Sequence, residues 1–150
     1  MKILMVCLGN ICRSPLAEGI LSSKLNSNSF FVDSSGTSAY HIGLQPDERS
    51  IAVAKNYGID INKKRARQFQ VTDFDIFDII YVMDKNNFQD ILSLARNNHD
   101  KQKVKMILNE IHPNKNKSVP DPYYGGEEGF ENVFKMLDKA CEIISKNIQK

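Results

Sequence analysis

Long apolar runs are missing from this 150-residue chain. No stretch approaches the ~18 residues that a membrane-spanning helix requires, so no transmembrane segment and no membrane partner are expected. Cysteine is scarce: there are three, an odd number. That speaks against a secreted disulfide scaffold and for a reducing, cytoplasmic setting, although leaderless export would leave no trace. Met1 and Lys2 lead straight into an apolar segment with no cleavage signal, so no signal peptide is expected. Histidine is scarce too. His41, His99 and His112 are scattered, each reads as a surface or structural residue, and neither a metal site nor a cofactor is expected. With 8 glycines and 5 prolines the chain has no Pro/Gly/Ser-rich linker, no repeat and no low-complexity tract. Charge nearly balances at +2, too little to argue for a nucleic-acid partner. The one basic cluster, Lys-Lys-Arg-Ala-Arg at 63–67, reads first as a solvated loop and second as a basic rim beside an anionic ligand.

What is present suits one domain over 1–150: 41% hydrophobic and 25% charged residues can build one sizeable core. A monomer is the default expectation. Residues 2–6 form a short apolar run before a Gly/Asn turn, the pattern of a buried parallel strand. Ser14 and Pro15 then open a helix as N-cap and first helical residue, with Ala17, Ile20, Leu21 and Leu25 on its apolar face. Residues 30–32 suggest a second strand, and 34–43 a loop rich in Ser, Gly and Thr. A helix over 46–57 ends at Gly58. Residues 77–83 form a third strand, and Asp84 caps a helix that buries Phe88, Ile91, Leu92 and Ala95. Residues 104–108 are the fourth strand, and 114–117 read as a polar loop. The last helix is the clearest, with Phe130, Val133, Phe134, Leu137, Cys141, Ile144 and Ile148 at helical spacing, and Cys141 read as core. Strands alternating with helices argue for βαβ units and an open, four-stranded parallel sheet with helices on both faces. Ligands bind such sheets beyond the carboxyl ends of the strands, often at the first βα turn.

The segment Cys7-Leu8-Gly9-Asn10-Ile11-Cys12-Arg13-Ser14 occupies that turn. A helix N-terminus presents unpaired N–H groups and a partial positive charge. A loop curling around it aims several amides at one centre and cradles phosphate. Gly9 and Asn10 tolerate the positive φ that so tight a loop requires. The same amides would stabilise a thiolate at Cys7, with Arg13 supplying the nearby cation. The guanidinium of Arg13 can also grip two phosphoryl oxygens at once. Ser14 can donate its hydroxyl to the thiolate. Taken singly, Cys7 would read as a buried thiol, Arg13 as a surface residue and Ser14 as a cap. Their combination makes those readings a minority.

Cys, five residues, Arg, Ser is the signature of protein tyrosine phosphatases, and Cys-Leu-Gly-Asn-Ile-Cys-Arg-Ser-Pro close to the start resembles their low-molecular-weight branch. The resemblance continues through Asp33-Ser34-Ser35-Gly36-Thr37, Ala66-Arg67-Gln68, Met83-Asp84 and Asp121-Pro122-Tyr123-Tyr124-Gly125, over nearly the whole chain. It implies a flavodoxin-like or Rossmann-like fold with the phosphate loop after the first strand. It also implies metal-independent hydrolysis of phosphotyrosine on protein substrates, with inorganic phosphate or other oxyanions as product or inhibitor. Tyrosine titrates near ~10, so its phenolate must be protonated as it leaves. Asp121, stiffened between Pro120 and Pro122, matches the family's acid loop; without that match it would read as an exposed turn residue. The family's two steps are then attack by Cys7 while Asp121 protonates the phenolic oxygen, and hydrolysis of the cysteinyl-phosphate with Asp121 as base. Arg13 and the loop amides of Leu8, Gly9, Asn10, Ile11 and Cys12 hold the phosphoryl oxygens.

By the same resemblance Leu8, Tyr40 and Tyr123 wall the slot for the aromatic ring, and Asn10, Ser14 and Ser34 brace the phosphate loop. Ordinary packing competes as a role for Tyr40. Tyr124 is open between wall, rim and phosphorylation target. Many members carry a His in the bracing network where Lys64, or alternatively Lys63, aligns here. Cys12 matches a position that can form a reversible disulfide with the nucleophile, with a small buried side chain as the equal alternative. Three rival functions remain. An arsenate reductase of this fold needs further redox cysteines near the third strand, and 77–94 has none. The arginine-phosphatase branch tends to carry Thr at the position of Ile11. A non-catalytic phosphate sensor would need neither Cys7 nor Asp121.

Overall fold

The chain alternates strand and helix through most of its length, and the computed structural model describes residues 1–149 of it. Strands β1 (Lys2–Cys7), β2 (Phe31–Gly36), β3 (Ile79–Val82) and β4 (Val104–Met106) form a single sheet. Their order is β2-β1-β3-β4, and every pairing is parallel. Helices are α1 (Arg13–Lys24), α2 (Glu48–Asn56), α3 (Asp73–Ile76), α4 (Lys85–Leu94), α5 (Asn98–Lys103) and α6 (Gly126–Ile148). Two 3-10 turns, Ile107–Glu110 and Pro122–Tyr124, complete the chain. The open parallel sheet expected from the alternation is present. The expected domain end at position 150 lies outside the described residues.

β1 is buried on both faces, which is why it reads as an unbroken apolar run. Ile3, Met5 and Cys7 point into a core shared with α1, α2 and α6. Leu4 and Val6 point into a second core with Phe74 of α3 and Ile91 of α4. Cys7 therefore ends β1 on the α1 side, between neighbours β2 and β3. This is the crevice position at which the strand order reverses.

Several boundaries differ from the sequence reading. β2 runs on to Gly36, because its register against β1 pairs Met5 with Ser34, Val6 with Ser35 and Cys7 with Gly36; ladder pairing overrides the loop-like Ser/Gly composition. β3 and β4 are shorter than 77–83 and 104–108, as Phe77 closes α3 and Ile107 begins a 3-10 turn. α2 starts at Glu48, because Asp47 rather than Pro46 sits at its cap and accepts the Arg49 N–H at 2.9 Å. α1 starts at Arg13, so Ser14 is not the N-cap; Cys12 holds that position without a side-chain bond. Pro15 still falls in the first turn, where its missing N–H costs nothing.

Asp84 caps α4 as expected, in a reciprocal capping box with Asn87. Gly58 follows α2 with φ of 78°, the left-handed conformation that favours glycine after a helix. The loop at 114–117 is exposed, with Asn114 and Asn116 at φ of 64° and 52°.

α3 and α5, too short to show periodicity, are tied through Arg96, which bonds Asp75 at 2.6 and 3.1 Å and Asp100 at 2.9 Å. The Arg96 hydrogen bonds hold the Asp100 carboxyl down from 3.8 to about 2. A depressed carboxylate adds stability that is complete above its ordinary pKa and is lost as pH falls through the folded value. Urea unfolding of Asp100→Asn and wild type should therefore differ at pH 5–7 and converge as the pH falls from about 4 towards 2.

Candidate active site

The loop after β1 wraps around the sulfur of Cys7. The Asn10 N–H donates to Cys7 Sγ at 3.3 Å, and Ser14 Oγ lies 3.0 Å from it. Helix α1 thus begins with its second residue turned back onto the strand end. Asn10 sits at φ of 58°, a conformation asparagine tolerates better than most residues. Its side chain holds it there. Asn10 Nδ2 donates to Ser14 Oγ at 2.8 Å and Ser34 Oγ at 2.9 Å, while its Oδ1 accepts the Arg67 N–H at 3.0 Å. Gly9 does not adopt positive φ; its need is space, because a Cβ there would lie 2.8 Å from His41 Cδ2. Ser34 Oγ donates in turn to Glu18 at 2.6 Å, and Glu18 is paired with Lys64. Burial pushes the Glu18 carboxyl above its ordinary range, and the bonds from Lys64 and Ser34 restrain that rise.

Arg13 is only 2% exposed, so its cation needs partners inside the protein. Nη1 donates to Asp84 at 2.6 Å and to the Val119 carbonyl at 3.0 Å. Nη2 lies 3.6 Å from an Asp121 oxygen, too long for a hydrogen bond. Burial works against the charge on Arg13, but Cys7, Asp84 and Asp121 outweigh it and hold the pKa above the ordinary value. Asp84 serves two elements at once. Its second oxygen caps α4 through the Asn87 N–H at 2.7 Å.

Asp121 stands at the start of the 3-10 turn Pro122–Tyr124, where its carboxylate accepts the Tyr123 N–H at 3.1 Å. A cavity of about 330 Å³ opens over Cys7; its lining includes Leu8, Gly9, Ile11, Cys12, Arg13, Tyr40, Asp121 and Tyr123. A thiol, a buried cation and a carboxylate from a separate loop thus share one concave site, closed at the bottom by the phosphate-binding type of turn.

The family model described as low molecular weight phosphotyrosine protein phosphatase matches residues 2–150. The chain belongs to this family. A low molecular weight phosphotyrosine protein phosphatase of Schizosaccharomyces pombe is 38% identical over 152 residues, 98% of this chain and 96% of that one. Among solved structures, a protein tyrosine phosphatase from Entamoeba histolytica with Hepes in its active site has a TM-score of 0.91 at 38% identity, covering 99% of this chain and 97% of that one. Vibrio vulnificus Wzb, in complex with benzylphosphonate, has a TM-score of 0.88 at 30% identity over 97% of each chain.

In this phosphatase the expected residues sort into two shells. Cys7, Leu8, Gly9, Ile11, Cys12, Arg13, Tyr40, Asp121 and Tyr123 face the cavity, joined by Ser38, His41 and Tyr124. Asn10, Ser14 and Ser34 are buried behind the loop. The packing alternative for Tyr40 fails, since the residue is 84% exposed. Of the two lysines weighed for the bracing network, Lys64 is the one that bonds Glu18. The solvated-loop reading of the 63–67 cluster holds for Lys63 and Arg65, which are exposed, and fails for the rest: Lys64 pairs with Glu18, Ala66 is buried, and Arg67 pairs with Asp33 and Asp73. The segment is a strap behind the phosphate loop. Cys141 is core, as expected. Glu18, the Asp84–Arg13 pair and the strap were not found from sequence. The only signals were a Glu on the otherwise apolar side of α1 and an Asp whose capping role already explained it.

Asp84→Asn separates the two duties of Asp84, since Asn caps a helix as well as Asp but carries no charge for Arg13. The buried Arg13 cation loses its counter-charge, so thermal unfolding should move to lower temperature even though the cap is kept, and kcat/KM on an aryl phosphate should drop about 10- to 100-fold through misplacement of the guanidinium.

Proposed function

We propose that this phosphatase hydrolyses phosphotyrosine with Cys7 as nucleophile, Arg13 as phosphate clamp and Asp121 as general acid and base. The observation that carries this reading is the convergence of the three on one cavity, with the Asn10 amide and Ser14 hydroxyl directed at the Cys7 sulfur. Sulfur attacks phosphorus in line with the departing phenolic oxygen, and the S–P bond forms as the P–O bond breaks. Asp121 gives its proton to that oxygen. Water then attacks the cysteinyl-phosphate, Asp121 takes the water's proton, and the thiolate leaves. Charge on the three equatorial oxygens is held by Arg13 and the loop amides.

Leu8, Tyr40 and Tyr123 stand around the mouth. Apolar and aromatic walls around the mouth favour a phosphoryl group carried on an aromatic ring over one on the short side chain of serine. The benzylphosphonate complex of Vibrio vulnificus Wzb is consistent with an aromatic ring in such a slot. Ile11 presents an apolar side chain to the same cavity, which suits an aryl ring better than a guanidine. Cys141 is fully buried on α6 and cannot relay a disulfide outward as an arsenate reductase requires.

Assays with a phosphotyrosine peptide, a phosphoserine peptide and phosphoarginine, with EDTA present, test the reading. Wild type should prefer the phosphotyrosine peptide, Cys7→Ser should be inactive, and Asp121→Asn should lose ~10²–10⁴-fold in rate. A preference for phosphoarginine would move the substrate to the arginine-phosphatase class.

Cys12 faces the same cavity. Burial first, then the charges on Asp47 and Cys7, push its thiol pKa up, so it waits as a thiol. A Cys7 sulfenic acid would condense with it to a disulfide, sparing Cys7 from further oxidation. Peroxide-treated wild type should regain activity on addition of dithiothreitol, and Cys12→Ser should regain less the longer the treatment, as its Cys7 sulfenic acid runs on to the irreversible sulfinic acid.

A further inference from the structure

The acid and the nucleophile come from different parts of the chain, and Asp121 is not gripped by Arg13. Arg13 bonds the chain leading into the acid loop at the Val119 carbonyl, which leaves the far side of that loop to be held by another group. Arg49, on the first turn of α2, is a second side chain that joins the two. Its Nε donates to Asp47 Oδ1 at 3.0 Å and its Nη2 to Asp47 Oδ2 at 3.0 Å, a two-point grip. The same Nη2 donates to the Tyr123 carbonyl at 2.9 Å. Its guanidinium carbon lies 4.5 Å from the Phe130 ring centre and 5.5 Å from that of Tyr123. Phe130 is 1% exposed, so this face of Arg49 rests on fixed core.

Both ends of this bridge lead to the chemistry. Asp47 donates its own N–H to the carbonyl of Ile11 in the phosphate loop at 2.8 Å, and Ser50 of the same helix donates to the Cys12 carbonyl at 3.2 Å. At the other end, the Tyr123 N–H is the group that the Asp121 carboxylate accepts from. One line of contacts therefore runs from the phosphate loop through Asp47 and Arg49 to the residue that fixes the Asp121 side chain. A guanidinium suits the task. It can meet a carboxylate in two places, reach a carbonyl and lie flat on aromatic rings, which an ammonium cannot.

We propose that Arg49 is a positioning residue for the general acid, setting the height of Asp121 above the phosphate loop. This rests on the reading of Asp121 as the acid. A leaving group that departs without a proton gains little from an acid, whereas a phenol of high pKa depends on it. The effect must therefore scale with the leaving group.

The test compares kcat/KM for phenyl phosphate and 2,4-dinitrophenyl phosphate in wild type, Arg49→Ala, Arg49→Lys and Asp121→Asn. The ratio kcat/KM reports the step that forms the cysteinyl-phosphate. Arg49→Ala should lose about tenfold or more on phenyl phosphate and change little on the dinitrophenyl ester, with Arg49→Lys between it and wild type. Activity on the dinitrophenyl ester shows in the same assay that fold and nucleophile are intact. An equal loss on both esters, or no loss on either, would overturn the proposal and leave Arg49 as a packing residue for α6. Should Arg49→Ala fail to fold, Arg49→Gln carries the same comparison. Asp121→Asn is the control for the underlying reading. If it loses both esters alike, the acid assignment falls first, and the role of Arg49 falls with it.

Discussion

A cation that must be buried governs this structure. Arg13 can clamp a phosphoryl group only if it lies at the floor of the cavity, shielded from water that would weaken its pull. There it cannot stand alone, because an unpaired buried charge costs several kcal/mol or more. Asp84 answers that demand, and it comes from the β3–α4 junction, adjacent to the β1–α1 junction that carries Arg13. The parallel order β2-β1-β3-β4 is what places those two junctions side by side. The Val119 carbonyl adds a second attachment, so the chain leading into the acid loop is also drawn to Arg13. Sheet order, helix capping and the path of the acid loop all follow from housing one guanidinium.

Local physics was legible in the chain wherever one segment explains itself. The β1 run, the phosphate loop, the Asp84 cap and the α6 periodicity each combine hydrophobic pattern and terminal chemistry within a few residues. Legibility ended where a side chain reaches far along the chain. Glu18 meets Ser34 and Lys64, Asp84 meets Arg13, and Arg49 meets Tyr123, across separations of 16, 46, 71 and 74 residues. No spacing rule announces such pairs. Ser14 shows the converse failure. Ser before Pro is a good capping pattern, but the hydroxyl was already committed to Cys7 and Asn10, so the helix began earlier without a side-chain cap.

The network behind the loop is a chain of buried polar groups in which each member creates a demand that the next one meets. Asn10 needs a fixed partner in Ser34, and Ser34 needs an acceptor, which Glu18 supplies. A buried carboxylate in turn requires a donor or a cation. Lys64 provides both from the strap, while Arg67 lends its backbone N–H to Asn10 and its side chain to Asp33 and Asp73. The charge on Lys64 works against the rise that burial imposes on the Glu18 carboxyl. Lys64 and Arg67, read from sequence as part of a solvated basic cluster, thus form the outer wall of the bracing network.

The two halves of the chemistry are held very differently, and that difference has a purpose. Cys7, Asn10, Arg13 and Ser14 are all 3% exposed or less, tied by bonds into the sheet edge and the first turn of α1. That half must not move, since it is shaped for the small, symmetrical phosphoryl group common to every substrate. Asp121 and the aromatic side chains at the mouth are exposed and stand on separate loops. That half is open to a phosphotyrosine on a protein surface. Burial is therefore concentrated where substrates are alike, and exposure where they differ. On the reading of Asp121 as the acid, a carboxylate on a separate, exposed loop has to be held at one height above the sulfur, and that is the duty proposed for Arg49.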